Sequence, residues 1–404
     1  MHFGLLGWQI SHSYSPKIHS LLGSYPYSLF DVPPDQLGAF LRSNSFDGLN
    51  VTIPYKKSVI PFLTKLTPEA QMLGAVNTII RRGDVLIGHN TDYFGFQSMV
   101  QQVGLSVEGK KVIVLGSGGA SNTVTQVLYQ LGAIVYVISR SGVYNYQNLH
   151  LHQDASIIVN TTPVGMYPSV GVSPVDLDLF SSLEAVLDVV YNPSRTKLLI
   201  DAESRGLITS NGLWMLVAQA KESSEWFSGA KLPLSSIPDI YQKLQKEMEN
   251  IILIGMPGCG KTTTGMHLSS ILGRQLIDLD AEVVSMAGCS IPEIFATRGE
   301  PAFRELETAV LGKYGKESGL IIATGGGSVI RSVNYDHLHQ NGRLFWLTRD
   351  LHKLPTDGRP LSQSGSLNAM YNIRKPLYES FADHIISNDG AIEETVASIA
   401  AFYV

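Results

Sequence analysis

The amino-acid sequence predicts an α/β fold with parallel sheets, distributed over more than one domain. Short β-branched runs alternate with helix-like segments along the chain, which favours parallel strands joined by helical crossovers. Two of these runs, at 111–115 and 251–254, lead directly into the glycine-rich turns 116–120 and 255–262. The free N–H groups of a helix that starts at such a turn favour a phosphate group. The two turns lie about one domain length apart and therefore indicate two nucleotide-binding domains.

A further α/β lobe is expected ahead of the first glycine-rich turn. Residues 3–6 and 48–53 have strand signals of their own. Between the two nucleotide-binding domains, residues 237–249 have helical periodicity, and the next strand follows at Asn250 without a Gly/Ser-rich linker. The stretch between Arg140 and Asn160 is short, so a crossover helix is not expected there.

Composition and charge exclude several classes of protein. The chain has 404 residues, of which 44% are apolar and 16% charged, a mixture that excludes wholesale disorder and coiled-coil or collagen-like architecture. A net charge of −5 argues against nucleic acid as a partner, and no apolar run approaches the ~18 residues of a membrane span. The N-terminal residues do not predict a signal peptide. Two cysteines cannot form a disulfide framework and favour a cytoplasmic location.

The second glycine-rich turn fits the phosphate-binding motif G-x-x-x-x-G-K-[ST] between a strand and a helix. In this motif Lys261 reaches the β- and γ-phosphates of ATP or GTP, and the hydroxyl of Thr262 binds Mg²⁺. The alternative is a glycine-rich turn that matches the motif by chance.

Charged side chains after this turn are candidates for binding a second substrate. Asp280 is placed at a strand end to accept a proton from a hydroxyl group, and Asp278 to hold a Mg²⁺-bound water. The alternative is that this pair caps a helix. Arg304 presents a planar fork suited to a carboxylate, with Glu307 one helical turn away. The alternative there is a solvated ion pair.

Three further features follow in the same half of the chain. Glycines 325–327 end an apolar run and let a ligand lie against bare backbone, unless they form only a flexible turn. Arg359 lies in a polar stretch without apolar periodicity, and Arg374 follows it. An arginine on a lid can neutralise charge on a transferred phosphoryl group.

The order and spacing of these features resemble shikimate kinase over residues 249–404. The resemblance implies a P-loop, nucleoside-monophosphate-kinase-like parallel α/β domain that uses ATP and Mg²⁺ to phosphorylate the 3-hydroxyl group of shikimate. It implies catalytic roles for Asp280, Lys261 and Arg359, the last of which closes over the phosphates. Implied in binding are Asp280, Arg304, Gly326 and Arg374 for shikimate, Gly258, Gly260, Lys261, Thr262 and Thr263 for the nucleotide, and Thr262 and Asp278 for the metal.

The first glycine-rich turn is a weaker signal, because Ser121 and Asn122 stand where a third glycine is expected. The next strand ends in Ser139 and Arg140 instead of the Asp or Glu that binds the ribose of NAD. A cation beside a hydroxyl suits the 2′-phosphate of NADP. The alternative is that Arg140 is an exposed turn residue.

Polar residues in the N-terminal lobe suggest a second reaction centre. Ser13 and Ser15 lie on one side of a predicted extended stretch, where they can bind a carboxylate or a polyol or cap the helix that begins at Pro16. Lys56 follows a strand, and Asp92 follows the sequence His-Asn-Thr. A Lys–Asp pair can supply a proton to the alkoxide that forms when hydride is delivered to a ketone. The alternative is a surface lysine and a turn aspartate.

These segments, together with Asn160–Met166, Asp188–Pro193 and Asn211–Gln219, resemble shikimate dehydrogenase from residue 3 to about 247. The resemblance implies a substrate lobe at 1–93, completed by helices at about 214–248, and a Rossmann-like NADP-binding domain at 94–213. It implies that Lys56 and Asp92 form the catalytic pair for the NADP-dependent interconversion of 3-dehydroshikimate and shikimate. Implied in binding are Ser13, Ser15, Thr52, Asn77, Asp92 and Gln219 for the substrate, and Gly116, Gly118, Gly119, Ala120, Ser139, Arg140, Met166 and Gly212 for NADP(H).

The product of the first implied reaction is the acceptor of the second, which favours a bifunctional enzyme of the shikimate (chorismate) pathway. An alternative is a quinate/shikimate dehydrogenase fused to a nucleotide-binding module that is weakly active or regulatory. Small molecules are the expected partners, and a monomer or homodimer is the expected state. The histidine pairs 150/152, 337/339 and 12/19 lack a third ligand at useful spacing. We expect solvated or capping roles for them and no structural metal.

Overall fold

Three β-sheets organise the computed structural model, which describes residues 2–10, 13–43, 45–354 and 367–404. The chain divides into two compact units. The first comprises Met1–Val164, Pro174–Tyr191 and Asp201–Lys243, and the second comprises Gly165–Ser173, Asn192–Ile200 and Leu244–Val404. Two short segments of the predicted NADP-binding domain therefore group with the C-terminal part of the chain. Within the described ranges, no helix combines the length and apolar character needed to cross a membrane.

The first sheet is mixed and forms the N-terminal lobe. Its strand order is β2-β1-β3-β5-β6-β4, with antiparallel pairing of β5 to both β3 and β6. The strands are β1 Phe3–Gly7, β2 Tyr27–Asp31, β3 Gly48–Val51, β4 Lys65–Leu66, β5 Thr78–Arg82 and β6 Val85–His89, and the helices are α1 Ser15–Leu22, α2 Leu37–Arg42 and α3 Pro68–Leu73. Leu6, Leu49 and Ile79 on three neighbouring strands are fully buried and anchor the apolar core of this lobe.

The second sheet is entirely parallel and also belongs to the first unit. Its order is β11-β10-β9-β7-β8, so the chain leaves β7 in one direction for β8 and returns to its other side for β9. Its elements, with the adjoining helices, are α4 Asp92–Gln102, β7 Lys111–Leu115, α5 Gly119–Gln130, β8 Ile134–Ile138, β9 Ile157–Asn160, β10 Ala185–Asp188, α6 Lys197–Ser204, β11 Ile208–Ser210, α7 Leu213–Ser228 and α8 Ser236–Met248. A short 3₁₀ helix, Leu149–His152, replaces a crossover helix between β8 and β9. A change of direction of this kind opens a crevice at the carboxyl ends of β7 and β9.

The third sheet is parallel, with the order β13-β14-β12-β15-β16, and lies in the second unit. β12 begins at Asn250, directly after α8. The elements are β12 Asn250–Ile254, α9 Lys261–Leu272, β13 Leu276–Asp278, α10 Leu279–Ala287, α11 Ile291–Tyr314, β14 Ile321–Ala323, α12 Val333–His339, β15 Gly342–Thr348, α13 Leu367–Phe381, β16 His384–Ser387 and α14 Ile392–Ala400. α11 is broken at Gly299, whose φ of 77° suits glycine and which precedes Pro301. The predicted α/β class with parallel sheets is confirmed.

The expectation of solvated or capping histidines is wrong for three of them, which are buried among aromatic rings. His19 stacks on Tyr27 with ring centroids 4.0 Å apart, and burial lowers its pKa to about 3. His339 stacks on Tyr335 in the same way, at 3.8 Å. His152 lies between tyrosine rings of β8 and the loop that follows it. Apolar packing around a neutral imidazole therefore decides their placement, whereas His150 is exposed as expected and His12 lies outside the described residues.

Replacing Phe345 by alanine should destabilise the second unit by about 3–5 kcal/mol. The ring is fully buried on β15 of the third sheet, so its removal leaves a cavity. Ile385 on the neighbouring strand β16 is 60% exposed, so Ile385→Ala is the matched control and should change the free energy of unfolding by less than about 1 kcal/mol. Urea denaturation of both variants measures the difference, and equal effects would contradict the assigned burial.

Candidate functional site

Lys56 and Asp92 form an ion pair in the N-terminal lobe. The Lys56 Nζ lies 2.6 Å from the Asp92 Oδ2, and the two side chains are 27% and 12% exposed. Lys56 lies in the turn after β3, where its carbonyl accepts a hydrogen bond of 2.8 Å from the N–H of Val76. Asp92 begins α4, and its N–H donates to the Asn90 Oδ1 over 3.1 Å. These bonds hold the backbone of both residues, and the side chains contact each other, which favours a proton-transfer pair over the alternative of two unrelated surface residues.

Thr91 contacts two of the predicted substrate-binding residues, Asn77 and Gln219, beside the Lys56–Asp92 pair. Thr91, next to Asp92, accepts a hydrogen bond of 3.0 Å from the Asn77 Nδ2 and lies 3.3 Å from the Gln219 Oε1. The Thr91 N–H donates to the Asn77 Oδ1 over 2.8 Å. The fold therefore brings Asn77, Asp92 and Gln219 together, although α7 begins more than a hundred residues after α4 ends.

Ser13 and Ser15, at the start of α1, do not share the extended stretch that the sequence predicts. Ser15 is buried and starts α1, so it does not lie in an extended stretch with Ser13. The Ser13 Oγ accepts a hydrogen bond of 3.2 Å from the Ser15 N–H, so of the two serines Ser13 makes the side-chain contact at the helix start. Thr52 follows β3, and its N–H donates to the Leu6 carbonyl over 2.9 Å.

The first glycine-rich turn forms an open cradle at the start of α5. Gly116 has φ of 105°, and a Cβ there would lie 2.9 Å from the Thr161 Oγ1, so glycine is required. Gly118 caps α5, which then runs through Gly119 and Ala120. Within the described part of the chain, a Cβ at Gly118 or Gly119 would meet open space. Exposed N–H groups at a helix start fit the pyrophosphate of a dinucleotide.

The other residues implied in NADP(H) binding differ in their exposure to solvent. Ser139 is buried, with its N–H donating to the Tyr144 carbonyl over 3.2 Å, and Arg140 is exposed beside it. Gly212 is needed for packing, since a Cβ there would lie 2.0 Å from the Val189 carbonyl oxygen. Met166 is 44% exposed and belongs to the second unit. Cofactor contacts of these residues stay predictions.

A cavity of about 660 Å³ opens at the carboxyl edge of the third sheet. Arg359 lies outside the described residues, and all the other residues implied in the kinase reaction line this cavity: Gly258, Gly260, Lys261, Thr262, Thr263, Asp278, Asp280, Arg304, Gly326 and Arg374. Residues that are more than a hundred positions apart in sequence thus share one space that is large enough for small-molecule ligands.

The P-loop has the geometry that its motif requires. Gly258 and Gly260 have φ of 83° and 101°, and a Cβ at Gly260 would lie 2.4 Å from the Asn388 Nδ2. Lys261 is buried at the first position of α9, where its Nζ donates to the carbonyls of Gly255 and Met256 over 2.9 and 3.0 Å. The ammonium group therefore lies inside the curve of the loop, next to the helix N-terminus that attracts phosphate.

Thr262, the residue after Lys261, contacts Asp278 at the end of β13. The Thr262 Oγ1 donates to the Asp278 Oδ2 over 2.8 Å, and the Asp278 Oδ1 caps α10 by accepting the Ala281 N–H over 3.2 Å. Asp278 therefore is a helix cap and also faces the cavity. The described residues hold no group of three or more His, Cys, Asp or Glu side chains suited to a metal. Two oxygen donors beside a phosphate site fit Mg²⁺, which keeps several waters and takes few protein ligands.

Asp280 lies in the first turn of α10 and is accessible from the cavity. The surrounding protein nevertheless limits its hydration, and this burial raises its pKa above the ordinary value. The carboxylates of Asp278 and Glu307 raise the pKa further, while Lys261 opposes the shift. A carboxylate with a raised pKa is a better proton acceptor than an ordinary aspartate.

Arg304 is buried and paired, which excludes the alternative of a solvated ion pair. Its Nη1 lies 2.8 Å from the Glu307 Oε2, and its Nη2 lies 3.0 Å from the Glu300 Oε1. Burial alone would lower the pKa of Arg304, but Glu307 and Glu300 raise it above the usual value. A Cβ at Gly327 would lie 2.3 Å from the guanidinium, so the glycine makes room for it.

Arg374, implied in shikimate binding, lines the same cavity as Arg304. It is buried in the middle of α13, and its Nη1 donates to the Gly326 carbonyl over 3.1 Å. Tyr378, one turn later on the same helix, donates to the same carbonyl oxygen. The glycine-rich segment after β14 is thereby held in place by two side chains of α13.

Sequence reasoning missed four residues at these sites. Thr91 and Ser223 are small hydroxyl residues without a motif of their own. Glu300 lies one helical turn before Arg304, which is a usable signal for an ion pair. Arg349 follows β15 at the cavity edge, as Asp278 ends β13, so its position at a strand end was the available signal.

Comparisons with known proteins match both parts of the chain. The family model described as "Shikimate dehydrogenase substrate binding domain" matches residues 5–79, and the model described as "Shikimate kinase" matches residues 257–403. A shikimate dehydrogenase (NADP(+)) of Clostridium perfringens is 34% identical over 265 residues, which cover 60% of this chain and 98% of that protein.

Solved structures match the first part of the chain. Shikimate dehydrogenase 1 of Peptoclostridium difficile is 38% identical with a TM-score of 0.56, and the match covers 60% of this chain and 97% of that one. Shikimate 5-dehydrogenase of Thermus thermophilus, solved in complex with NADP(H) and shikimate, is 30% identical with a TM-score of 0.55, covering 60% and 98%. These similarities agree with the extent of the sequence resemblance to shikimate dehydrogenase.

Asp280→Asn should change the pH dependence of stability. Because the folded protein raises the pKa of Asp280, it binds this proton more tightly than the unfolded chain does. The wild type then loses stability as the pH rises from about 4, the unfolded value, through the folded pKa. Asparagine has no such proton, so the stability of the variant relative to wild type should be higher at pH 8 than at pH 4. Urea denaturation at both pH values measures this, and a difference independent of pH would contradict the raised pKa.

Proposed function

Because the chain belongs to the shikimate dehydrogenase family and carries a shikimate kinase domain, we propose that it catalyses two consecutive steps of the shikimate pathway. The first is the NADPH-dependent reduction of 3-dehydroshikimate to shikimate, and the second is the ATP-dependent phosphorylation of shikimate to 3-phosphoshikimate. The observation that carries the proposal is the presence in one chain of the Lys56–Asp92 pair and of the cavity that Lys261, Asp280 and Arg304 share.

At the dehydrogenase site, Lys56 and Asp92 act on the oxygen of the reacting carbonyl. NADPH supplies the hydride when it is bound. The Lys56 ammonium gives a proton to the oxygen as negative charge develops there, and Asp92 holds the ammonium in position through the 2.6 Å contact. Asn77 and Gln219 offer amide groups for the hydroxyls of the substrate. Ser13, Ser15 and Thr52 complete the proposed substrate site.

The preference for NADP(H) rests on the end of β8. Arg140 is exposed, so a 2′-phosphate can approach its guanidinium, and the buried Ser139 directly precedes it. The open cradle at Gly118 and Gly119 would hold the pyrophosphate through backbone N–H groups.

At the kinase site, Asp280 accepts the proton of the shikimate 3-hydroxyl group, for which its raised pKa is suited. Lys261 compensates negative charge on the transferred phosphoryl group, and Thr262 and Asp278 would hold Mg²⁺, which would supply further positive charge to the phosphates. Arg304 and Arg374 bind the shikimate carboxylate. Arg359 is proposed from its motif alone to close over the phosphates.

A coupled assay tests the whole proposal. The protein is incubated with 3-dehydroshikimate, NADPH and ATP-Mg²⁺, and 3-phosphoshikimate is sought as the product. Parallel rates with quinate separate the proposed function from a quinate-specific dehydrogenase. Consumption of NADPH without phosphorylation of shikimate would reduce the C-terminal domain to a regulatory module.

We further propose that the protein is a monomer or homodimer in the cytoplasm. The reducing conditions of that compartment keep thiols unpaired, in agreement with the two free cysteines, Cys259 and Cys289.

Lys56→Ala and Lys261→Ala should each remove one activity and spare the other. Lys56 acts in the transition state of reduction, so its loss should lower kcat of the dehydrogenase by about 100-fold or more with a smaller change in KM. Lys261 compensates phosphate charge, so its loss should abolish phosphorylation of shikimate. Separate steady-state assays of both reactions on each variant measure this. Loss of both activities in a variant with a native circular dichroism spectrum would contradict two independent sites.

Arg140→Ala should raise KM for NADPH much more than KM for NADH, because only NADPH carries the 2′-phosphate. The dehydrogenase is assayed with each cofactor at saturating 3-dehydroshikimate. Lys110→Ala is a matched control, since it removes a cation of the same domain that pairs with Glu184 and has no assigned contact with the cofactor. Equal effects of Arg140→Ala on both cofactors would assign Arg140 to the adenine ring or to stability.

A further inference from the structure

We propose that Ser223, on α7, is a positioning residue for substrate binding at the Lys56–Asp92 site. The inference rests on the proposed dehydrogenase function. Ser223 belongs to none of the motifs that predict this function. Its side chain is fully buried and joins the segments that carry the predicted substrate ligands.

The Ser223 hydroxyl contacts four other residues. Its Oγ accepts a hydrogen bond of 2.8 Å from the Asn50 Nδ2 and donates to the Gln219 carbonyl over 3.0 Å. It also lies 2.9 Å from the Thr78 Oγ1 and 3.0 Å from the Thr91 Oγ1. These partners come from β3, α7, β5 and the turn before α4, so one oxygen links four separate parts of the chain.

The available protons can satisfy the Ser223 hydroxyl completely. A serine hydroxyl has one proton and two acceptor positions. The proton goes to the Gln219 carbonyl, and Asn50 fills one acceptor position. The second acceptor position of Ser223 takes the proton of either Thr78 or Thr91. Thr78 can otherwise donate to the Asn77 Oδ1 at 3.1 Å, and Thr91 to the Gln219 Oε1 at 3.3 Å. Thr91 in turn accepts from the Asn77 Nδ2. The hydroxyl protons of Ser223, Thr78 and Thr91 then each have an acceptor, and such a network fixes the orientation of its members.

The partners of Ser223 are the close neighbours of the predicted substrate ligands. Thr91 precedes Asp92, Thr78 follows Asn77, and Asn50 lies two positions before Thr52. Gln219 lies one helical turn before Ser223 on α7. Ser223 itself contacts neither Lys56 nor Asp92 through a described hydrogen bond, so its effect should fall on the placement of substrate and leave proton transfer intact.

The neighbouring Ser224 supplies a matched control. It is equally buried on the same helix, but its Oγ accepts a hydrogen bond of 2.7 Å from the Tyr25 hydroxyl, outside the network around Ser223. Ser224→Ala therefore removes one buried hydroxyl hydrogen bond but leaves the hydrogen bonds of Asn50, Thr78 and Thr91 in place.

The experiment measures shikimate oxidation with NADP and shikimate affinity by calorimetry, in the full-length wild type and in Ser223→Ala, Ser223→Cys and Ser224→Ala. Loss of the Ser223 hydrogen bonds should raise KM and Kd for shikimate about 5- to 30-fold, the effect of one or two buried hydrogen bonds. The value of kcat should stay within about twofold, as expected when binding is weakened equally in ground and transition states. KM for NADP should not change. Ser224→Ala should retain the wild-type KM for shikimate.

Ser223→Cys distinguishes hydrogen bonding from space filling, because a thiol has nearly the size of the hydroxyl but is a weak donor and acceptor. We expect it to resemble Ser223→Ala, and it also provides the test if the alanine variant does not fold. A wild-type KM in Ser223→Cys, or an equal rise of KM in Ser224→Ala, would overturn the positioning role. A wild type that binds and oxidises no shikimate would overturn the proposed function itself, and the inference with it.

Discussion

The placement of helix N-termini at the carboxyl ends of parallel strands is the constraint on which both phosphate sites depend. β7 leads through Gly116 into α5, and β12 leads through the P-loop into α9. A polypeptide can reverse from strand to helix so tightly only where residues with positive φ are available, and Gly116 and Gly260 have such values. The unpaired N–H groups then face the sheet edge together, where neighbouring strands deliver their polar side chains.

The two proposed reactions place opposite demands on their proton-transfer residues. In the proposed reduction Lys56 gives a proton to a developing alkoxide, and the 2.6 Å contact with Asp92 holds the ammonium at the site. In the proposed phosphorylation Asp280 takes a proton from a hydroxyl group, and burial, together with the carboxylates of Asp278 and Glu307, raises its pKa. The fold obtains both results by controlling which charges lie near each group and how much water reaches it.

A buried ion pair alone does not mark a site in this protein. Lys221 and Glu225 on α7 are as buried as Arg304 and Glu307, with a contact of 2.7 Å. Glu225 also accepts the N–H of Leu232, so this pair secures the chain that follows α7. Arg304 differs because it lines a cavity at a sheet edge, beside the backbone of Gly327. The two pairs therefore differ in whether they border a cavity and not in how deeply their charges are buried.

The sequence by itself determined the α/β class, the two phosphate-binding turns and the cavity residues near them, because strand periodicity, turn chemistry and helix starts are local properties. It did not determine which polar residues would meet from distant segments. Asn50 and Ser223 are 173 residues apart and Thr91 and Gln219 are 128 apart, yet each pair shares a hydrogen bond. The buried histidines and the helical start at Ser15 were likewise decided by tertiary packing. Burial depends on what the rest of the chain brings to a side chain, and no local pattern contains that information.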